Sequence, residues 1–219
     1  MQNRKKLDED LFQKIIIPLI ACLLIGISSW FHPGYTTSTV AALARIKSDK
    51  YWMIVHFGLL IGVLILDISL WKLFNSFSTK SSWNIWSFIF KLGIFINIAL
   101  YIPFLSIDGF AGAILANSSA FSNPVYASQA VSVLFASPVT NLLGLIGGAG
   151  WILASLGIIM RTLDKKDTPI FGAIMILIGS IILDISHAKY IGSTAAIFFL
   201  IGILKINSSL RIKTNTTST

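Results

Sequence analysis

Six stretches of this chain, 14–31, 51–71, 84–105, 139–160, 169–187 and 190–206, are apolar over about the length of a bilayer crossing and hold almost no charge. A helix needs roughly 20 apolar residues to cross about 30 Å of hydrocarbon. Lipid offers no partner to backbone N–H and C=O groups, so only helices and closed barrels span it. Barrel strands alternate apolar and polar residues, and these stretches do not. The expected fold is therefore all-α, a polytopic transmembrane bundle of about six spans. A soluble domain is excluded on the same grounds: 55% of the residues are hydrophobic and 12% charged, against about 25% charged in soluble proteins.

The net charge of +8 does not point to nucleic acid. The basic residues flank the apolar blocks, which is the pattern that orients membrane helices. With the N-terminus cytoplasmic, the inner segments carry Arg4, Lys5, Lys6, Lys14, Lys72, Lys80, Arg161, Lys165, Lys166, Lys205, Arg211 and Lys213. The outer segments carry Arg45, Lys47, Lys50 and Lys189. Twelve against four predicts that both termini face inward. Residues 1–13 then form a cytoplasmic segment and 207–219 a cytoplasmic, disordered tail. Trp30, Tyr51 and Trp52 fall at the outer interface, and Trp71, Trp83 and Trp86 at the inner one. The first block follows Arg4-Lys5-Lys6 but lacks a small-residue cleavage site, so it reads as a retained anchor in the cell membrane.

The segment 106–138 is long, outer and holds a single charge, Asp108. Within it, 125–136 is apolar enough for a short helix, either lying on the bilayer surface or closing over an outer cavity. Residues 61–72 and 178–189 match at eight of twelve positions. They belong to spans of opposite direction, as an inverted repeat would place them. Shared Ile, Leu and Ser bias accounts for the match equally well.

All three histidines fall on the outer side. His32 ends the first span, His56 lies near the start of the second, and His187 ends the fifth. Asp184 precedes His187 by three residues, which on a helix places them on one face. Three imidazoles and a carboxylate can hold a divalent metal, and paired histidines can hold haem. Hydrogen bonding to backbone or headgroups serves such residues too. Asp67 and Lys91 are charged groups inside spans, at similar depth from the inner face; they fit a buried register-fixing pair or an ion path. The single cysteine, Cys22, makes no internal disulfide. Gly58 with Gly62, and Gly144 with Gly148, have the small-xxx-small spacing that lets helices approach. Pro103 is expected to kink or end the third span. Asn97 and Tyr101 put polar groups on one face of that helix.

His32-Pro33 closing the first apolar helix, with Trp52 and His56 opening the second, resembles a group of small, uncharacterised prokaryotic membrane proteins of about six spans. The resemblance implies the fold and draws attention to His32 and His56; it implies no activity. Three functions follow from the residues. One is a membrane protein with an outward site of His32, His56, Asp184 and His187 for a metal, haem or small ligand. The second is a small transporter or channel using Asp67, Lys91 and Asp184. The third is a structural subunit of a membrane complex. An enzyme acting on lipid through a histidine base stays open beside them.

Overall fold

The computed structural model describes residues 12–32, 39–77, 85–118, 123–135, 137–164 and 169–216. The basic residues Arg4, Lys5, Lys6, Lys80, Lys165 and Lys166, and Pro33 of the His-Pro pair, lie outside them. The described residues form helices and no strands. We number the helices α1 (Phe12–Phe31), α2 (Thr39–Ser48), α3 (Trp52–Ser76), α4 (Ile85–Ala116), α5 (Pro124–Phe135), α6 (Pro138–Leu163), α7 (Ile170–Ile185) and α8 (Lys189–Thr216).

Five helical stretches are long and apolar enough to cross a membrane; they centre on α1, α3, α4, α6 and α8. The 25 residues of α3 span about 38 Å at 1.5 Å per residue. The sixth apolar helix, α7, has 16 residues and reaches only about 24 Å. The long helices and α7 pack as a ring in the order α1, α3, α4, α6, α7, α8, with α8 returning to α1. The core inside the ring includes Ile25, Leu66, Phe90, Trp151, Phe199 and Ile203. Outside it, Ile54, Phe95, Leu145 and Ile197 are among the many large apolar side chains left exposed. An apolar surface this extensive is foreign to a soluble monomer.

Glycine sets the closest approach. A methyl group on Gly93 of α4 would lie 2.5 Å from the Gly150 carbonyl oxygen of α6, and one on Gly150 would lie 2.5 Å from the Gly93 oxygen. The two backbones therefore meet without side chains between them. Gly58 and Gly62 seat α3 against α1 in the same way. Polar bonds then cross-tie the ring. Trp151 donates to Asp67 at 2.8 Å, Arg161 to Ser87 at 2.8 Å, and Asn97 to the Gly147 carbonyl at 3.1 Å. Ser155 and Ser180 are bonded at 2.7 Å.

Three boundaries differ from those read in the sequence. The third apolar block does not end at 105, because α4 runs on to Ala116. Pro103 neither ends nor breaks it. Wide, π-type turns at Asn97–Tyr101 and Ile107–Ala111 lie on either side of Pro103, and such turns absorb a missing N–H donor and ring bulk. Much of 106–138 is thus helix, with α5 in its second half. The helix α2, between α1 and α3, had no counterpart in the sequence reading. It packs on α5 and on the Gly112–Ala116 end of α4. Finally, the tail expected to be disordered from 207 continues α8 to Thr216. Asn207 there donates to the Lys14 carbonyl at 2.8 Å, so the described ends of the chain share one end of the bundle.

Candidate metal centre

The opposite end of the bundle gathers His32, His56, Asp108 and His187, whose ligand atoms all lie within 4.8 Å of one another. Each is buried, with between 0 and 5% of its surface exposed. Four separate elements supply them. His32 follows the last residue of α1, where the backbone turns extended (φ −66°, ψ 123°). His56 lies in the second turn of α3. Asp108 is carried by the second π-type turn of α4. His187 lies in the short connection between α7 and α8. There Ser186 is extended and Lys189 takes a left-handed φ of 49°, which turns the chain back sharply.

Three of the separations inside the group are short. His32 Nε2 and His56 Nε2 are 3.2 Å apart. Asp108 Oδ2 is 3.1 Å from His56 Nε2 and 3.5 Å from His187 Nε2. The imidazole of His32 packs edge-on against those of His56 and His187, each 4.8 Å away between ring centres.

Outer contacts fix the inner ones. His56 Nδ1 is 2.8 Å from the Trp52 carbonyl oxygen, one helical turn back. A carbonyl only accepts, so Nδ1 carries the proton. In neutral His56 this leaves a lone pair on Nε2, facing an Asp108 carboxylate oxygen at 3.1 Å. Two acceptors at that distance fit a cation between them, and His32 Nε2 lies 3.2 Å from the same nitrogen. Trp52 also donates its indole N–H to the Asp108 carbonyl at 3.2 Å, which ties the carboxylate's turn to α3. Gly109 makes the approach of α4 to α3 feasible: a methyl group there would lie 2.6 Å from His56 Cγ. On the other side, the Tyr101 hydroxyl is 3.5 Å from His187 Nδ1.

The sequence candidates divide. His32, His56 and His187 come together; Asp184 is not among the four. The spacing argument for Asp184 fails because α7 stops at Ile185, so His187 leaves the helical face that Asp184 occupies. Asp184 instead lies beside Gly148 of α6, with Oδ1 buried and without a hydrogen-bond partner. Asp108 takes the carboxylate's place, and the sequence reading did not propose it. Its signal was visible as the only charge in 106–138. The intramembrane pair is elsewhere. Asp67 and Lys91 border one groove between α3 and α4, and Asp67 Oδ1 is held by Trp151. No known family model, curated protein or solved structure matches this chain.

Proposed function

We propose that this protein is a six-span membrane protein, with both termini cytoplasmic, that binds one divalent transition-metal ion through His32, His56, Asp108 and His187. Zn2+ is the first choice. Zinc–ligand bonds of 2.0–2.2 Å in a tetrahedron place neighbouring ligand atoms about 3.3–3.6 Å apart. Three of the six separations, 3.1, 3.2 and 3.5 Å, lie at or just below that edge, with all four ligand atoms inside 4.8 Å, and this observation carries the reading. Three imidazoles and one carboxylate also suit zinc, copper, iron and nickel over the harder magnesium and calcium. The Trp52 carbonyl on His56 is the outer-shell contact that metal-bound histidines usually have.

The same geometry disfavours haem. Two axial nitrogens on one iron are roughly 4 Å apart, twice a metal–nitrogen bond, and a porphyrin lies between them. His32 and His56 are closer than that, with two further ligands at their side. A buried set of four protein donors is a closed site. The ion would therefore tie α1, α3, α4 and the α7–α8 connection together rather than process a substrate. The transporter alternative has less support, because Asp67 and Lys91 border a groove whose other walls are apolar apart from Lys72. α2 and α5 lie at the same end as the metal ligands, and α5 touches the turn that carries Asp108.

Purification of the full chain under gentle detergent, without added chelator, should give about one zinc per protein by elemental analysis. In His56→Ala one of four ligands is gone, so that stoichiometry should fall. Metal at background level in wild type after incubation with Zn2+ would end the reading. Membrane placement has its own test. Reporters fused near residues 120 and 165 should report opposite compartments, and the same compartment would refute the six-span orientation.

A further inference from the structure

Away from the metal ligands, at the end of the bundle that holds both chain ends, two cavities adjoin. The first is a groove of about 560 Å³ between α3 and α4. Leu64, Ile68 and Trp71 form one wall, and Ile94, Phe95 and Ile98 the other. These walls include side chains that face outward: Phe95 is 67% and Ile68 49% exposed. Lys72 and Lys91 also border it. The second is a polar pocket of about 260 Å³ formed by Gln13, Lys14, Ser69, Asn75 and Asn207 among others, and it also includes Lys72. Lys72 is therefore the shared border of an apolar groove and a pocket rich in hydrogen-bond donors.

The groove arises because α3 and α4 touch at their ends but separate between them. Near the metal ligands, α3 packs on the Ile107–Ala111 turn. Near the chain ends, Phe90 of α4 stacks on Phe74 of α3, with ring centres 4.1 Å apart, and meets Trp71 at 5.9 Å. The opening between these contacts faces outward, toward lipid if the chain lies in a bilayer. From Leu64 to Lys72 the groove follows α3 for about 12 Å, at 1.5 Å per residue. A lipid leaflet's hydrocarbon is about 15 Å deep, half of the bilayer core.

We propose that one anionic phospholipid of the leaflet nearest the chain ends binds here, an acyl chain in the groove and its phosphate-bearing headgroup against Lys14 and Lys72. The occupant follows from charge and shape. An apolar slot of nearly leaflet depth ends at two lysines and several amide and hydroxyl donors, with Lys91 across the groove as a third cation. Zwitterionic lipid would fill the slot equally well but gain less at the cationic end. Asp67 does not oppose this. It is 2% exposed at the groove floor, with Oδ1 engaged by Trp151. The inference rests on the membrane placement proposed above and not on the metal.

The test is native mass spectrometry of the full chain, released from micelles doped with phosphatidylglycerol or phosphatidylcholine. Wild type should retain one phosphatidylglycerol, with a preference over phosphatidylcholine of roughly 10- to 30-fold, the effect of two lysines at a lipid surface. Lys14→Gln with Lys72→Gln should remove that preference. Ile98→Trp, which fills the groove and spares the lysines, should lower retention of both lipids. Equal retention of the two lipids by wild type would overturn the proposal, as would an undiminished preference in the double lysine variant. Displacement of the lipid by millimolar glycerol phosphate would overturn it too, because the site would then be one for soluble anions. If the chain needs no detergent at all, the membrane placement has failed instead.

Discussion

Gly109→Ala tests the metal reading through a residue that is not a ligand. The added methyl would lie 2.6 Å from His56 Cγ, and also within contact of Cβ and Cδ2, where ordinary contact begins near 3.4 Å. The imidazole or the α4 turn must yield by about 1 Å, and well-packed cores resist such overpacking at a cost of roughly 1–3 kcal/mol. Metal–ligand distances tolerate only about 0.2 Å. A shift of this size therefore removes His56 or Asp108 from the coordination shell. Structural zinc sites are worth about 10–16 kcal/mol over their ligands, so one of four contributes roughly 3 kcal/mol, a loss of about 100-fold in affinity. The assay is competition for zinc against a chromophoric chelator, with circular dichroism and gel filtration to establish that the variant folds. Gly144→Ala is the control: there the atoms nearest a methyl are those of the Phe104 ring, at 3.1–3.3 Å, and zinc affinity should stay within a few-fold of wild type. Wild-type affinity in folded Gly109→Ala would refute the reasoning, since His56 would then not be held where the metal needs it.

Two further outcomes are expected. Trp151→Phe removes the one hydrogen bond that the described residues give the Asp67 carboxylate, whose other oxygen is already buried without one among them. A buried acceptor left unmatched costs about 1–3 kcal/mol, so thermal unfolding in detergent should fall by several degrees while zinc stoichiometry stays the same. An unchanged melting temperature would show that the bond contributes nothing. Acidification should weaken zinc binding, because protons and metal compete for the same imidazole lone pairs. Affinity that does not fall on acidification would argue against histidine ligands.

The helical class and most of the long apolar helices were legible because hydrophobic block length is a property of the sequence alone. What was not legible depended on where helices stop. Pro103 looked like a terminator, yet the wide turns at Asn97–Tyr101 and Ile107–Ala111 accommodate it. That continuation places Asp108 inside the bundle, whereas a loop would have left it in solvent. Conversely, the spacing of Asp184 and His187 looked like a helical pair, but Ser186 turns extended after Ile185. The histidines could be assigned to one side from topology. Their convergence to within hydrogen-bonding distance depends on ring packing, set by contacts such as Gly93 against Gly150 and Gly109 against His56. Those glycines carry no signal of their partners in a single sequence.

X-ray absorption at the zinc edge on the full chain, purified from its membrane, tests the central claim most directly. The account predicts a first shell of four light atoms at about 2.0–2.1 Å, with the outer-shell scattering of three imidazoles, reduced to two in His187→Ala. A shell containing sulfur, a six-oxygen shell, or an imidazole count unaffected by His187→Ala would contradict it.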